Sequence, residues 1–318
     1  MRRFTSLLII VLSLTAASAY GQSNGKAAEQ YNHALDLQRN GDVQGAIAGY
    51  TKAIENDPRF FDAYNNRGNI YLESGNLDAA IADYTKAIEL RPEEFMAYYN
   101  RGVARLAKGD LDAASADFTR SIELAPKYTM AYNNRGNARK AKGDLDGAIA
   151  DYNKAIELNP DFFEGYFNRG AARRDKGELD TALADYNRAI EKNPEYAESY
   201  YGRGLTRQAK GDHDGAITDF DRAIQLRPDH ADAYDSRATS RQAKGDLAAA
   251  LADLSKAIEL NPSLAQAYVN RGVILLKQGK YTEADENFEK GFRLDASLKP
   301  TYEKYIQEYK RNRASNKQ

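Results

Sequence analysis

The sequence predicts an all-α fold made of eight copies of a 34-residue helical hairpin, closed by a capping helix. Relatives of the pentapeptide YNNRG recur at 34-residue steps from Tyr64 to Tyr268. With Ala27 taken as position 1 of the first copy, position 15 is glycine in all eight copies, and position 32 is proline in the first seven. One hairpin cannot bury its apolar face alone, so the copies are expected to stack as a solenoid.

The local residues justify each half of the hairpin. Helix-forming residues fill positions 1–14, and the glycine at position 15 ends this first helix because it adopts a left-handed conformation easily. An acidic residue or asparagine at position 16 begins the second helix in the first seven repeats. Proline at position 32 stops that helix. Small residues at positions 8 and 20 should let the two helices approach closely.

The chain organisation follows from this register. A signal peptide is assigned to residues 1–19 and a linker to residues 20–26. The repeats are assigned to residues 27–60, 61–94, 95–128, 129–162, 163–196, 197–230, 231–264 and 265–298. Residues 299–318 form the capping helix and tail, because Tyr302, Ile306 and Tyr309 make one apolar stripe.

The N-terminus has the pattern of a cleaved secretory signal. Two arginines precede an apolar run at Leu7–Leu14, and Ala17 and Ala19 fit a small-residue cleavage site, so we expect cutting after Ala19. An uncleaved anchor is the alternative. The chain has no cysteine, so packing alone must stabilise it. These features predict a periplasmic or secreted protein that does not insert into the membrane after cleavage.

The repeat resembles the tetratricopeptide repeat (TPR) family, in particular its exported bacterial members. The shared pattern has an aromatic residue at positions 4 and 24, glycine at position 8, alanine at positions 20 and 27, and proline at position 32. Two departures are tyrosine for tryptophan at position 4 and arginine for leucine at position 7. The resemblance implies a right-handed superhelical solenoid whose first helices line a concave groove that binds proteins or peptides.

Arginine at position 7 falls on the inward side of the first helix, where a guanidinium needs a partner. Folding about the position-15 glycine places position 23 opposite it. We therefore predict structural ion pairs within the repeats. They are Arg67–Asp83, Arg101–Asp117, Arg135–Asp151 and Arg169–Asp185. A basic stripe for anionic ligands is the alternative. The arginines at position 11 have no firm partner in the sequence. They are Arg105, Arg139, Arg173, Arg207 and Arg241.

The recurring asparagine at position 6 is interpreted as part of a peptide-binding groove. The resemblance places this position on the concave face, and a side-chain amide complements a peptide unit. The expected groove residues are Asn66, Asn69, Asn100, Asn134, Asn137, Asn168, Asn270, Met96, Tyr99, Phe167 and Tyr201. Alternatively, asparagine is a solvated residue that duplication has copied along with the repeat.

No catalytic, metal or cofactor site is expected. His33, His213 and His230 are the only histidines, and they occupy different repeat positions. The net charge of −1 implies no attraction to nucleic acid. The sequence favours a non-catalytic scaffold of the cell envelope that binds peptide segments of unknown identity. The alternative is an assembly component of polysaccharide or secretion machinery that acts through convex or end surfaces. Weak self-association through the array ends is a further expectation.

Overall fold

A computed structural model describes residues 25–315 of the chain, and the predicted all-α fold is confirmed there. This range has seventeen α-helices, one short 3-10 helix and no strand. The α-helices are α1 Gly25–Arg39, α2 Val43–Asn56, α3 Phe61–Glu73, α4 Leu77–Leu90, α5 Phe95–Lys108, α6 Leu111–Leu124, α7 Thr129–Ala141, α8 Leu145–Leu158, α9 Phe163–Lys176, α10 Leu179–Lys192, α11 Ala197–Ala209, α12 His213–Leu226, α13 Ala231–Ala243, α14 Leu247–Leu260, α15 Ala265–Lys277, α16 Tyr281–Leu294 and α17 Lys299–Ser315. The signal peptide and its cleavage site lie outside the described residues.

The chain divides into two compact units, Met1–Ala172 and Arg173–Gln318. We call them unit 1 and unit 2. Within each unit, consecutive helices pack as hairpins, and the second helix of one hairpin packs against the first helix of the next. The first helices of neighbouring hairpins also touch, as α3 does with α5 and α5 with α7. This order places first helices side by side along one face of each unit.

The helix boundaries follow the repeat register. In repeats 2 to 8 the first helix begins at position 1, and in all eight repeats the second helix begins at position 17. The glycine between them has a φ of +76° to +92° in every repeat, a conformation that other residues rarely adopt. At position 16, Asp42, Asp144 and Asp212 each accept a hydrogen bond from the backbone N–H three residues later. These three side chains cap the second helix as expected, whereas Asp110 and Glu178 make no side-chain capping hydrogen bond.

The glycine at position 8 makes room for the ring at position 24 of the same repeat. A Cβ atom built on Gly136 would lie 2.6 Å from Cε1 of Tyr152, and one on Gly102 would lie 2.8 Å from Cε1 of Phe118. Both rings are completely buried, as is the alanine at position 20 in every repeat. In repeats 2, 3, 4, 6 and 8 the two helices of the hairpin thus approach closely because an aromatic ring packs against glycine.

Helix α17 covers the end of the last repeat. Ile306 is buried in a cluster that includes Val269 and Leu276. Gln266 donates a hydrogen bond to the hydroxyl of Tyr302 over 2.8 Å. The capping segment expected from the apolar stripe is therefore helical and packed against repeat 8.

Candidate functional site

The position-7 arginines are bound to position-23 aspartates by paired hydrogen bonds. In each of five repeats, Nε and Nη2 of the arginine donate to the two carboxylate oxygens over 2.6–3.0 Å. The pairs are Arg67–Asp83, Arg101–Asp117, Arg135–Asp151, Arg203–Asp219 and Arg237–Asp253. The aspartate side chains are at most 7% exposed. Such bidentate pairs fix orientation as well as charge.

The same guanidinium also ties each repeat to the one before it. Nη1 of Arg67 donates to Oγ1 of Thr51 over 2.8 Å, and Nη1 of Arg203 donates to Oδ1 of Asn187 over 2.6 Å. Both partners stand at position 25 of the preceding repeat. Because its donors are used for these contacts, the position-7 arginine serves packing rather than ligand capture.

The arginines at position 11 share the same carboxylates. In repeats 3 to 7 their Nη1 atoms donate to Oδ2 of the position-23 aspartate over 2.7–2.8 Å. The pairs are Arg105–Asp117, Arg139–Asp151, Arg173–Asp185, Arg207–Asp219 and Arg241–Asp253. A carboxylate has about four acceptor sites, so one aspartate accommodates both arginines.

Two of the pairs between positions 7 and 23 differ from the five described above. Arg169 and Asp185 belong to different units, so this pair stays a prediction. In repeat 8, Arg271 donates through Nε to the neutral Oδ1 of Asn287 over 2.8 Å. Burial there lowers the pKa of Arg271.

The expected exposure of the groove asparagines is wrong. Asn66, Asn100, Asn134 and Asn168 are at most 8% exposed, and the two position-9 residues of the predicted groove, Asn69 and Asn137, are buried too. The first helix of the neighbouring repeat covers them, which a helical wheel drawn for one helix does not include. The position-6 side chains therefore hold adjacent repeats together, whereas the hydrogen bonds of Asn137 lie within its own repeat.

The asparagines at position 6 donate to the preceding repeat. Nδ2 of Asn134 bonds the hydroxyl of Tyr99 over 2.9 Å, and Nδ2 of Asn100 bonds Oδ1 of Asn69 over 3.2 Å. The hydroxyl of Tyr84 also donates to Asn69, over 2.7 Å. The remaining donor–acceptor pairs are Asn66–Tyr31, Asn168–Asn133 and Asn270–Asp235. Buried amides need such partners because an unmade hydrogen bond is costly.

The other predicted groove residues differ in exposure. Tyr99 is completely buried, contrary to expectation, because its ring packs against Phe118 and Tyr128. Met96, Phe167, Tyr201 and Asn270 remain partly exposed. The hydroxyl of Tyr201 lies 3.4 Å from Oγ of Ser236, and either group can be the donor.

An apolar surface remains on the first helices of unit 1. It comprises the partly exposed Met96, Leu106, Met130 and Ala141 together with the exposed Ala107. We call this set the first-helix face of unit 1. Met96, Leu106 and Met130 pack inward on a core cluster that includes Tyr99 and Val103, so their positions are well supported. Partly exposed apolar side chains grouped in this way often mark contact sites.

Two acidic side chains on the first helices of unit 2, Glu198 and Asp235, have shifted pKa values. Arg227 forms an ion pair with Glu198, and Nε2 of His230 lies 3.4 Å from the same carboxylate. Burial alone would raise the pKa of Glu198, but His230 and Arg227 lower it. Burial, with a smaller contribution from Asp232, raises the pKa of Asp235 to about 6.

Between residues 25 and 315, no group of three or more histidine, aspartate or glutamate side chains could hold a metal ion. The helices of this range also lack the length and apolar character needed to cross a bilayer. The histidines are scattered, with His33 on α1 and His213 on α12.

Comparison with known proteins identifies the class. The family description "TPR repeat" matches residues 68–109, 136–173, 170–211 and 241–279. The description "Tetratricopeptide repeat" matches residues 50–82, 95–128, 197–230 and 265–298. Together these matches cover more than half of the chain, so it belongs to the tetratricopeptide repeat family. None of the curated proteins compared with the chain matches it.

Solved structures show the same fold. One crystal structure of MamA is 30% identical, with a TM-score of 0.50 over 52% of this chain and 96% of MamA. A second MamA structure is 28% identical, with a TM-score of 0.51 over 55% of this chain and 96% of MamA. A tetratricopeptide repeat protein from Parabacteroides merdae is 22% identical, with a TM-score of 0.61 over 78% of this chain and 96% of that protein.

Proposed function

We propose that this chain is a non-catalytic scaffold of the cell envelope, and that it binds segments of other proteins on its first helices. The observation that carries the proposal is the first-helix face of unit 1, where Met96, Leu106 and Met130 stay partly exposed next to a polar, well-bonded interior. Methionine adapts its shape to different partners, which suits a binding surface. Membership of a family of helical-repeat scaffolds supports the same assignment.

The envelope location rests on the sequence of residues 1–19, and the lack of cysteine is compatible with it. We propose that the chain is exported and cut after Ala19. N-terminal sequencing of the protein from the periplasmic fraction tests this point. A mature chain that begins at Tyr20 supports export, whereas full-length protein in the cytoplasm contradicts it.

A capture experiment tests the binding surface. Immobilised protein is incubated with envelope extract and compared with the Met96→Ser/Met130→Ser variant, which removes apolar area without touching the buried asparagines. Lys86→Ser/Lys154→Ser, on the exposed side of α4 and α8, is the matched control. Loss of specific partners only in the methionine variant supports the proposal. Retention of the same partners would move the interaction to the convex or end surfaces, as the assembly-component alternative requires.

A further inference from the structure

We infer that the first-helix face of unit 1 recognises a segment with apolar anchors at its centre and lysine or arginine at both ends. This inference rests on the proposed function and specifies the chemistry of the partner. It follows from how charge and apolar surface alternate along α3, α5, α7 and α9, which are the first helices of repeats 2 to 5.

The side chains at position 2 form an ordered row in unit 1. They run from Asp62 on α3 through Met96 on α5 and Met130 on α7 to Glu164 on α9. At position 13, Glu73 on α3 is followed by Ala107 and Ala141. At positions 2 and 13 the two central repeats are therefore apolar, and the repeats on either side of them carry acidic residues.

The flanking carboxylates differ in how they are satisfied. Asp62 pairs with Arg91, whose Nη2 lies 3.4 Å from the carboxylate. Within residues 25–315, Glu73 and Glu164 form no ion pair. Glu164 is partly buried, and this burial raises its pKa. Glu73 is exposed. A cation from a partner is attracted more strongly by the partly buried Glu164, because opposite charges interact more strongly where water is excluded.

Among positions 2, 12 and 13 of α5 and α7, the only basic side chain is Lys140, at position 12 of α7. The flanking carboxylates that form no ion pair in the described part of the chain are Glu73 and Glu164, so the cations of a partner are expected over them, on opposite sides of the methionines. Charge complementarity of this kind contributes mainly to specificity and association rate.

The geometry also sets the length of the segment. Neighbouring packed helices lie about 8–10 Å apart, so three steps from α3 to α9 span roughly 25–30 Å. Glu73 is near the C-terminal end of α3 and Glu164 is near the N-terminal end of α9. A bound segment that reaches both carboxylates therefore crosses the helices diagonally. An extended chain advances about 3.3 Å per residue, so the two basic ends should be about nine residues apart.

A random library of 16-residue peptides displayed on phage tests the inference on the full chain. Wild type is compared with the charge-reversal variant Glu73→Lys/Glu164→Lys. Its matched control is Glu55→Lys/Glu289→Lys, which makes the same change at exposed glutamates of α2 and α16. Thermal melting of each variant verifies that it folds. A peptide selected on wild type is then measured by fluorescence anisotropy against all three proteins.

We expect wild type and control to select apolar peptides with basic ends, and the charge-reversal variant to select acidic ends. The affinity of the wild-type peptide should fall about tenfold in the charge-reversal variant and change less than about twofold in the control. Identical selections on wild type and charge-reversal variant would overturn the inference. If the peptides selected in that case still require Met96 and Met130 for binding, the proposed function is retained and only the inference about basic ends is rejected. If wild type enriches no peptides, both are contradicted.

Discussion

Replacing Asp151 by asparagine is expected to destabilise the protein more than the same change at Asp83. Asp151 accepts two hydrogen bonds from Arg135 and one from Arg139, and its side chain is 5% exposed. Asp83 faces Arg67 alone, because position 11 of repeat 2 is Tyr71. The two substitutions therefore separate the effect of the second arginine from that of the first.

The magnitude follows from the bonds that each change removes. A hydrogen bond to a charged group contributes about 1.5–3 kcal/mol, and an asparagine oxygen can keep one of them, as Asn287 does for Arg271. Asp83→Asn should therefore cost about 1.5–3 kcal/mol, and Asp151→Asn about 3–5 kcal/mol, because two cations then lose their counter-charge.

Urea unfolding followed by circular dichroism measures both variants. Adding Arg139→Gln to Asp151→Asn removes the second cation and should recover about 1–2 kcal/mol of the loss. Equal costs at Asp83 and Asp151, or no recovery in the double variant, would refute the interpretation that one carboxylate serves two arginines.

Three further predictions concern single side chains. Asn134→Ala leaves the buried hydroxyl of Tyr99 without its donor and should cost about 1–3 kcal/mol in urea unfolding; an unchanged midpoint would contradict its structural role. Gly136→Ala places a Cβ atom 2.6 Å from Tyr152 and should lower the free energy of unfolding by about 1–3 kcal/mol. Gly75→Ala adds no close contact, so any loss of stability in that variant measures the cost of the positive φ. Because the folded pKa of Asp235 is about 6, above its unfolded value, its contribution to stability is complete at low pH and is lost as pH rises through 6. Melting curves from pH 4 to 8 should therefore show the stability of wild type falling relative to Asp235→Asn, and parallel curves would exclude this titration.

Much of the fold could be predicted because the 34-residue repeat is visible in the sequence and the residues that end each helix act locally. Glycine at position 15 and proline at position 32 set the helix ends without reference to neighbouring repeats. The partner of the position-7 arginine also follows from folding one hairpin about its turn. Residues 7 and 23 lie equally far from position 15, as Arg101 and Asp117 do from Gly109.

The position-11 arginines were missed because each aspartate was assigned a single partner. The available signal was the acceptor capacity of a carboxylate. Every repeat with arginine at position 11 also has aspartate at position 23. Repeat 8, with Leu275 at position 11, has the neutral Asn287 instead.

The asparagines were misplaced because their burial depends on how one repeat rotates against the next. A helical wheel gives the direction of Asn134 from its own axis, but not the path of α5 beside it. A correlation between positions 9 and 24 of the repeats indicates the burial of two of these asparagines. Asparagine stands at position 9 only in repeats 2 and 4, whose position 24 is tyrosine, and those hydroxyls bond Asn69 and Asn137. In repeat 3, phenylalanine at position 24 meets Val103.

Site-specific photo-crosslinking tests the proposed binding surface most directly. A photoreactive amino acid replaces Met130 on the first-helix face of unit 1 or, in a second protein, Glu157 on the exposed side of α8. Both proteins are exposed to the same envelope extract and irradiated, and adducts are identified by mass spectrometry. The proposed function predicts specific protein adducts at position 130 and none at position 157. Adducts that form only at position 157 would contradict it.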